Sequence, residues 1–243
     1  MNIVISGYGR MGHEVEKIAH QRMHEVIAIT DNMTDWMEKE DIIKTADVVI
    51  DFSLPESALD VFRTCFEWGI PIATGTTGWY KNINMVREKC EDKDACFFYS
   101  HNFSMGVNIF FKANRLIAKL TAAMGNYKPS IGETHHIHKL DAPSGTAIKA
   151  AEGIIDEYDN ITKWKNSGDI NAGQLAIISK REGEVIGEHI VNYSSEVDEI
   201  NISHRAKNRS GFALAVIAAE FIKGKTGFFT MDSLFEELMR PVR

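Results

Sequence analysis

The segment from Glu133 to Thr146 holds the densest group of side chains able to transfer protons or bind anions. Within five residues it carries three histidines, His135, His136 and His138, and one lysine, Lys139. Histidine exchanges protons near neutral pH and so serves as a general acid or base, whereas lysine supplies a fixed positive charge. The composition therefore predicts acid–base chemistry on an anionic ligand.

Two other interpretations of this segment stay open. The histidines could coordinate a metal, but they lack the i, i+4 helical pairing of common zinc sites, so we expect no metal. They could also lie in a surface loop without a chemical role. In favour of an anion site, Ser144, Gly145 and Thr146 precede an alanine-rich helix, whose first N–H groups and hydroxyls would hold a carboxylate.

A glycine-rich turn close to the N-terminus has the G-x-G-x-x-G spacing of dinucleotide-binding loops. It follows the apolar run Asn2–Ser6 and precedes helical spacing over Met11–Gln21, which is the context that the motif requires. Its glycines permit a tight turn and close approach of the backbone to a pyrophosphate. The alternative is a glycine-rich turn that binds nothing. The predicted cofactor residues of this turn are Gly7, Tyr8, Gly9, Arg10, Met11 and Gly12.

Dinucleotide sites carry an acidic residue about 20 positions further on, at the end of the second strand, which binds the ribose hydroxyls. Asp31 follows the β-type run Val26–Ile29 and suits that position; the alternative is that it only caps a turn. Residues 32–34 include no Arg or Lys, which favours NADH as the cofactor. Arg10 is the only cation expected nearby, and because of it NADPH is a second candidate cofactor.

Three further loops are expected at the carboxyl ends of parallel strands, where open α/β sheets bind ligands. One follows the run Asp47–Asp51, the second is the Gly-Thr-Thr-Gly sequence beginning at Gly75, and the third follows Ala95–Tyr99. Taken singly, each could be an ordinary loop. The predicted cofactor residues of these loops are Ser53, Gly75, Thr76, Thr77, His101, Asn102, Phe103 and Ser104.

Composition excludes several classes of function. The 243-residue chain has a formal net charge of −7, which argues against nucleic-acid binding, since that needs a basic face. No apolar segment of about 18 residues occurs, so we expect no membrane span. Three cysteines without metal-type spacing and the lack of a secretory signal favour a location in the cytoplasm.

Alternating strand and helix patterns fill the N-terminal part and predict right-handed βαβ units in a parallel sheet. The pattern changes near Phe103–Gly106, after which a long helix precedes β-type runs joined by short turns, at Glu182–Gly183 and at Ser194–Ser195. These runs predict a mixed or antiparallel sheet. Strands are predicted over Ile70–Ala73, Ser130–Thr134, Leu175–Arg181, Glu184–Tyr193 and Glu196–Ser203. Helices are predicted over Pro55–Trp68, Trp79–Cys90, Met105–Met124, Ala147–Tyr158, Gly211–Ile222 and Met231–Met239.

The run from Glu133 to Ala147, E-x-H-H-x-x-K-x-D-A-P-S-G-T-A, resembles the signature of the dihydrodipicolinate reductase family. Supporting matches in the family's order are Gly7–Gly12, Gly75–Gly78, Asn102–Val107 and Gly187–His189. The resemblance implies an α/β fold in which a Rossmann-type parallel-sheet domain over residues 1–105, rejoined by 217–243, binds a dinucleotide. An α+β domain with a mixed sheet over 106–216 would bind substrate and form a homotetramer.

The resemblance also implies an activity. The family reduces 4-hydroxy-tetrahydrodipicolinate, a small dicarboxylate, to tetrahydrodipicolinate with loss of water, using NADH or NADPH, in lysine biosynthesis through diaminopimelate. By this similarity His135 is the acid–base residue, Lys139 is the other catalytic residue, and His136 binds substrate with Gly145 and Thr146. Which of His135 and Lys139 transfers which proton stays open.

Two other functions are alternatives. Another two-domain NAD(P)-dependent dehydrogenase of a small amino or keto acid would share only the nucleotide-binding half. An NAD(H)-binding redox sensor would bind the cofactor tightly without turnover and would not need the His-His-x-x-Lys cluster. The substrate that is turned over separates these functions.

Overall fold

The computed structural model describes residues 1–166, 168–208, 211 and 214–240. The chain forms two compact units. The first unit consists of Met1–Ser104 together with Ser210–Arg243, and the second unit consists of Met105–Arg209. Across the described residues, every helix is too short or too polar to cross a membrane.

Strands and helices alternate along most of the chain. The strands are β1 (Asn2–Ser6), β2 (Glu25–Thr30), β3 (Val48–Asp51), β4 (Ile72–Thr74), β5 (Cys96–Tyr99), β6 (Lys128–His135), β7 (Lys163–Asn166), β8 (Gln174–Arg181), β9 (Glu188–Ser194), β10 (Glu199–Arg205) and β11 (Gly227–Phe229). The helices are α1 (Arg10–Gln21), α2 (Met33–Glu38), α3 (Glu40–Ile43), α4 (Pro55–Trp68), α5 (Ile83–Asp92), α6 (Met105–Met124), α7 (Gly145–Ile155), α8 (Ala215–Ile222) and α9 (Met231–Leu238).

The first unit is a six-stranded parallel sheet in the order β11-β5-β4-β3-β1-β2. Its central strands are apolar on both faces, as in β3, where every residue is buried, because helices cover both sides. The order reverses between β1 and β3, and the carboxyl ends of all the strands lie at one edge. The predicted Rossmann-type parallel sheet is confirmed, and this edge is where such sheets bind ligands.

Helices α4 and α6 have the predicted bounds. Helix α4 begins with Pro55 in its first turn and ends at Gly69, whose φ of +68° favours glycine. The helix predicted over Trp79–Cys90 starts late, because the buried Trp79 ring donates a hydrogen bond to the Thr76 carbonyl at 2.8 Å and belongs to the preceding loop. A short 3₁₀ turn, Tyr80–Asn82, leads into α5.

The closing elements of the chain complete the first unit. Helix α8 packs against β3, β4 and β5, and its buried residues are Ala215, Val216, Ala218, Ala219 and Ile222. It was predicted over Gly211–Ile222, and residues 212 and 213 of that prediction lie outside the described residues. Strand β11 was not predicted from the sequence. It has three residues and exists through its parallel pairing with β5.

The second unit is a five-stranded mixed sheet in the order β10-β9-β6-β8-β7. The prediction of a mixed or antiparallel sheet is confirmed, and β9 and β10 form an antiparallel pair across the predicted turn. The short turn predicted at Glu182–Gly183 implied that β8 and β9 are neighbours, and this was wrong. Strand β6 lies between them, parallel to β8 and antiparallel to β9. The reason is burial, since Ile131 of β6 then packs between Ile177 and Val191, all three inaccessible to solvent.

Candidate active site

Each glycine of the turn after β1 meets a different physical requirement. Gly7 has a φ of +87°, and a Cβ there would lie 2.4 Å from the Phe52 carbonyl oxygen, so the turn needs glycine. A Cβ on Gly12 would lie 2.4 Å from the Gly7 carbonyl oxygen, so a larger residue would push α1 away. A Cβ on Gly9 would meet no described atom within 4 Å, so any restriction there must come from a ligand. Dinucleotide-binding loops divide the work of their glycines in this way.

Helix α1 begins at this turn without a capping side chain. Gly9 is the N-cap residue, and the first helical turn contains no acid. The N–H groups of that turn are therefore free to bind an anion, and the helix dipole adds positive potential there. Arg10 is exposed on the same turn. Tyr8 is turned along the helix, where its hydroxyl donates to Glu16. This geometry fits a pyrophosphate.

Asp31 lies where the sequence predicted a ribose-binding acid, directly after β2. Its Oδ1 accepts a hydrogen bond from the Tyr8 N–H at 2.6 Å, which ties the end of β2 to the glycine turn. The Asp31 N–H donates to Asp35 Oδ2 at 2.7 Å, and this hydrogen bond is the main cause that lowers the pKa of Asp35. The Asp35 carboxylate therefore lies against the backbone of Asp31.

Arg10 was the only cation expected near Asp31, and this was wrong. The Lys39 ammonium donates to the Ile29 carbonyl at 2.6 Å, beside the end of β2. The short helix α2 turns the chain back and brings Lys39 there, and that helix was not predicted from the sequence. A positive charge thus stands close to the two acids, Asp31 and Asp35.

Asp51, at the end of β3, is completely buried. Its Oδ2 accepts hydrogen bonds from the hydroxyls of Thr74 at 2.6 Å and Thr76 at 2.8 Å, and its Oδ1 accepts one from the Ser53 N–H at 3.2 Å. One carboxylate therefore fixes the loops that follow β3 and β4. Ser53 and Thr76 were predicted from the sequence as cofactor residues. Asp51 belonged to the same candidate segment as Ser53, but its role in positioning both residues was not predicted.

The loops after β4 and β5 are packed on Phe52. A Cβ on Gly75 would lie 2.1 Å from the Phe52 ring, and the buried Phe103 ring lies 5.9 Å from it, centroid to centroid. The Ser104 N–H donates to the side-chain oxygen of Asn102 at 2.8 Å, which closes the turn after β5. The structure thus brings the predicted residues of these loops to one edge of the sheet, with Thr77 and His101 exposed there.

Three buried hydroxyls of the first unit have no hydrogen-bond partner among the described residues, and they belong to Thr30, Ser53 and Tyr80. The Tyr80 ring lies 4.2 Å from the His101 ring, which places it beside the loop after β5. Burial raises the pKa of Tyr80 to about 12, so this hydroxyl keeps its proton. An unpartnered buried hydroxyl costs about 1–3 kcal/mol, so the Ser53 and Tyr80 hydroxyls fit hydrogen bonding to a ligand.

In the second unit, alternation along β6 places Ile131, Glu133 and His135 on one buried face. Antiparallel pairing sets His189 of β9 opposite Glu133. The Glu133 Oε2 atom lies 3.2 Å from His135 Nδ1 and 3.8 Å from His189 Nε2. A Cβ on Gly187 would come within 3.0 Å of His135 Nε2, so glycine leaves room for this ring. Sheet pairing therefore builds a cluster of one acid and two histidines.

The Glu133 carboxylate is held by four donated hydrogen bonds. Both oxygens accept from the Ser144 N–H, at 3.2 and 3.1 Å, and Oε1 accepts two from the Arg181 guanidinium at 3.3 Å. Burial raises the pKa of Glu133, but the contacts with His135 and Ser144 outweigh it and hold this pKa well below its usual range. Glu133 is therefore an anion at neutral pH.

His189 is buried, and its Nε2 lies 3.0 Å from the Ser144 hydroxyl. Burial first, and then the nearby His135, lower the pKa of His189 to about 4. The ring is therefore neutral at pH 7 and adds no second positive charge beside Arg181. Ser144 is also the N-cap of α7, where its hydroxyl accepts from the Ala147 N–H at 3.2 Å.

Lys139, the predicted cation, is paired with Asp141, whose two carboxylate oxygens lie 2.7 and 2.8 Å from the ammonium. This hydrogen bond is the main cause that lowers the pKa of Asp141. Arg181 donates to the Lys139 carbonyl at 3.3 Å and to the Asp141 carbonyl at 2.5 Å, as well as to Glu133. Arg181 therefore connects the loop that contains Lys139 and Asp141 to the buried Glu133 carboxylate. A substrate carboxylate would have to replace Asp141 at Lys139.

The start of α7 offers an anion-binding position. The N–H groups of Gly145 and Thr146 have no hydrogen-bond partner among the described residues, and a Cβ on the exposed Gly145 would meet no described atom within 4 Å. The Nδ1 atom of His136, just before this loop, is buried and unpartnered within the described chain. These groups fit a bound carboxylate.

The ligand atoms of Glu133, His135 and His189 lie within 4.8 Å of one another, a span that a metal ion could bridge. Arg181 already neutralises the carboxylate from 3.3 Å, so a divalent cation would meet a guanidinium at its own ligand. The charge balance favours a proton-transfer network over a metal site.

The two units together define a class of protein. The first unit has a glycine turn and helix N-terminus suited to a pyrophosphate, followed by an acid after β2. The second unit has a buried acid–histidine cluster and a helix N-terminus suited to a carboxylate. A chain that contains both is an NAD(P)-dependent oxidoreductase of a small anionic substrate.

Comparison with family models makes the assignment specific. The model described as "Dihydrodipicolinate reductase, N-terminus" matches residues 1–103, and the model described as "Dihydrodipicolinate reductase, C-terminus" matches residues 106–235. The chain belongs to the dihydrodipicolinate reductase family, which confirms the resemblance seen in the sequence.

Individual relatives agree. The chain is 42% identical over 241 residues to a 4-hydroxy-tetrahydrodipicolinate reductase of Christiangramia forsetii, covering 99% of this chain and 100% of the relative. It is 32% identical to the Staphylococcus aureus (strain MRSA252) enzyme of that name, covering 96% of this chain and 100% of the relative. Among solved structures, a dipicolinate-bound dihydrodipicolinate reductase from Paenisporosarcina sp. TG-14 matches with a TM-score of 0.79 at 19% identity, covering 96% of this chain and 99% of that one. This likeness confirms the two-part fold.

Proposed function

We infer that the chain catalyses the NAD(P)H-dependent reduction of 4-hydroxy-tetrahydrodipicolinate to tetrahydrodipicolinate, in lysine biosynthesis through diaminopimelate. The observation that carries this inference is the buried Glu133–His135 pair beside the carboxylate-binding start of α7. It occurs in a chain that is 42% identical, over nearly its whole length, to a curated enzyme with that name.

The reaction takes up one hydride and one proton and releases water. It needs a hydride donor, a proton donor and positive groups for two carboxylates. The reduced nicotinamide, when bound, supplies the hydride. The chain's own residues must supply the proton donor and the positive groups that bind the two carboxylates.

The first unit is proposed as the dinucleotide-binding domain. The N–H groups at the start of α1 would take the pyrophosphate, and Asp31 would accept hydrogen bonds from the ribose hydroxyls. The unpartnered Ser53 hydroxyl is available to the cofactor at the same edge. The proposed cofactor residues are Gly7, Tyr8, Gly9, Arg10, Met11, Gly12, Asp31, Ser53, Gly75, Thr76, Thr77, His101, Asn102, Phe103 and Ser104.

The second unit is proposed as the substrate-binding domain. The N–H groups of Gly145 and Thr146, with Ser144 at the cap, would hold one carboxylate, and His136 and Lys139 would hold the other. Support comes from the open space at Gly145 and from the buried Nδ1 of His136. The Paenisporosarcina reductase is described as dipicolinate-bound, and dipicolinate is a planar dicarboxylate.

His135 and Lys139 are proposed to share the acid–base work. His135 Nδ1 lies 3.2 Å from the Glu133 carboxylate, and this contact supports a role for the ring in proton transfer. Lys139 is joined to Asp141 and is released when a substrate carboxylate takes the place of Asp141. Both assignments rest on their place in this cluster.

The second unit is also proposed to form a homotetramer in the cytoplasm. Helices α6 and α7 cover one face of its sheet, and the other face exposes Ile178 to 53% and Ile190 to 39%, on either side of Gly132. Two exposed isoleucines on one face of a sheet suit contact with a second copy of the chain. Mass measurement in solution tests it, and Ile178→Asp with Ile190→Asp should yield smaller species.

One assay tests the proposed reaction. Purified chain is mixed with NADH or NADPH and enzymatically generated 4-hydroxy-tetrahydrodipicolinate, and cofactor oxidation is followed. Oxidation that depends on the substrate supports the proposal. His138→Ala, which changes an exposed histidine of the same segment, is the matched control and should keep the rate. Absence of substrate-dependent oxidation with both cofactors would refute the proposed reaction.

A further inference from the structure

The two oxygens of Glu133 have different surroundings. Oε1 accepts from the Ser144 N–H at 3.2 Å and twice from Arg181 at 3.3 Å. Oε2 accepts from the Ser144 N–H at 3.1 Å, and it lies 3.2 Å from His135 Nδ1. One oxygen is therefore saturated by fixed donors, and the other has capacity left on the side of the histidine.

The two nitrogens of His135 also differ. Nδ1 is buried and has no hydrogen-bond partner in the described chain, because its 3.2 Å approach to Glu133 is off the hydrogen-bonding direction. Nε2 lies beside Gly187, where the missing Cβ keeps space in front of it. A small rotation of the ring would place an Nδ1–H on Oε2.

We propose that Glu133 is the positioning residue for His135: its carboxylate holds the proton on Nδ1 and leaves Nε2 as the atom that exchanges a proton with the substrate. This inference rests on the acid–base role of His135 proposed above. An imidazole has one N–H when neutral, and the hydrogen bond made by one nitrogen fixes which nitrogen carries it. Glu133 thus acts through His135 and does not itself touch the reacting atoms.

The other charged groups near the ring do not compete for this role. Neutral His189 faces it from β9, Arg181 from β8 is already bound to Glu133, and Lys139 is paired with Asp141. His204 of β10 is one strand further away, next to His189, and burial lowers its pKa. Among the described residues, Glu133 is the anion that lies against His135.

Glu133→Gln turns this arrangement into a direct test. The Ser144 N–H and the Arg181 guanidinium both donate at the Oε1 position, so an acceptor must stay there. The amide oxygen of glutamine therefore takes the place of Oε1. Its NH₂ group then takes the place of Oε2 and donates to His135 Nδ1. The proton of the neutral ring must move to Nε2, because Nδ1 has become an acceptor.

Nitrogen NMR of the histidine side chains in the free enzyme reads the tautomer. We expect the Nδ1–H form for His135 in the native chain and the Nε2–H form in Glu133→Gln. Glu133→Asp keeps the negative charge and should keep the Nδ1–H form. Glu184→Gln removes the exposed carboxylate 3.4 Å from His138 and is the matched control, with no change expected at His135.

Kinetics supply the second readout. Glu133→Gln should lower kcat at least about tenfold, since a misplaced proton removes part of the general acid–base contribution, while KM for NADH stays the same. Glu133→Asp should recover part of kcat.

The proposal is overturned if His135 carries its proton on Nε2 in the native chain, or if Glu133→Gln leaves the tautomer unchanged. It is also overturned if the tautomer reverses and kcat does not fall. The native tautomer decides the matter even where Glu133→Gln does not fold. Failure of the proposed reaction would look different, since substrate-dependent NADH oxidation would be missing from the native chain whatever the tautomer.

Discussion

Each unit contains a buried carboxylate near the carboxyl end of an internal strand, and the two carboxylates have different partners. Asp51 accepts hydrogen bonds from the uncharged hydroxyls of Thr74 and Thr76. Glu133 accepts them from the Arg181 guanidinium and lies 3.2 Å from His135, the proposed acid–base residue. The first carboxylate fixes the shape of two loops, whereas the second is placed to control a proton.

Because of this difference, we expect substitutions in the two units to change different kinetic and binding constants. Changes around Asp51 should weaken cofactor binding and leave the chemistry of bound substrate unaltered. Changes around Glu133 should lower kcat or substrate affinity and leave cofactor binding unaltered. Substitutions in each unit test whether cofactor affinity and kcat are affected separately.

The largest effect is expected from His135→Ala. Removal of a positioned general acid or base typically lowers the rate about 10²–10⁴-fold. We expect kcat to fall within that range and NADH affinity, measured by calorimetry, to stay the same. A fall of less than about threefold would remove His135 from proton transfer, since that principle sets a larger loss.

The next effect concerns stability against pH. The pKa of His189 is about 4 in the folded chain, mainly through burial, and about 6.5 when unfolded. The unfolded chain therefore binds more protons between these values, so the free energy of unfolding should fall as pH drops from about 6.5 to about 4. The loss attributable to His189 is up to about 3 kcal/mol.

His189→Gln should flatten the pH dependence of the denaturation midpoint in that window, and the exposed His138→Gln should not. Protonation of Glu133 should lower the free energy of unfolding only at more acidic pH, since the pKa of Glu133 lies well below the usual range. An equal slope in His189→Gln and the native chain would contradict the neutral, buried state of this histidine.

Lys139→Met keeps the length of the side chain and deletes its charge. Loss of a charge-assisted hydrogen bond of about 1.5–3 kcal/mol should weaken pyridine-2,6-dicarboxylate binding roughly ten- to a hundredfold. NADH binding should not change. Asp141→Asn should instead tighten dicarboxylate binding, because it removes the competitor at Lys139. Unchanged dicarboxylate affinity in Lys139→Met would exclude Lys139 from the binding role.

Asp51→Asn replaces one acceptor by a donor that faces the threonine hydroxyls. We expect the Kd for NADH to rise about tenfold, the equivalent of one lost hydrogen bond to a charged group, and dicarboxylate affinity to stay the same. Asp47→Asn is the control, because Asp47 accepts from the Asn2 N–H at the opposite end of the sheet. A lower kcat with normal NADH affinity would contradict the expectation that Asp51 affects cofactor binding and not catalysis.

The smallest effect is expected from Asp31→Ala, which should raise KM for NADH about fivefold, corresponding to roughly 1 kcal/mol. With two acids at this position, NADH should serve at least as well as NADPH. Lys39→Met tests whether the nearby ammonium contributes to NADPH binding. If it does, kcat/KM should fall for NADPH and stay the same for NADH. A preference of about tenfold or more for NADPH, or roughly 1.4 kcal/mol, would contradict the role of Asp31.

The first unit's site was largely predictable because its parts are local in sequence. A strand, a Gly7–Gly12 turn and a helix follow one another directly, and their order alone predicts a nucleotide loop. Asp51 was missed as a positioning residue because its partners, Thr74 and Thr76, become neighbours only when β3 and β4 pair.

The second unit's site was predictable only in part. The motif names His135 and Lys139, but the contacts of Glu133 depend on β6 lying between β8 and β9. That arrangement brings Arg181 and His189 to the same carboxylate from either side. Nothing local in the sequence distinguishes it from a hairpin of β8 and β9. The Gly187–His189 match was the available signal, and it does not by itself reveal that His189 faces Glu133.

The interruption of the first unit by the second has a consequence for the order in which the chain assembles during synthesis. A polypeptide leaves the ribosome N-terminus first, and domains fold as they emerge. The second unit is continuous and can close its core as soon as Arg209 is free. The sheet of the first unit acquires β11 and the cover of α8 on β3, β4 and β5 only later. The part of the chain translated first is thus the last to be completed, because β11 and α8 come from its C-terminal end.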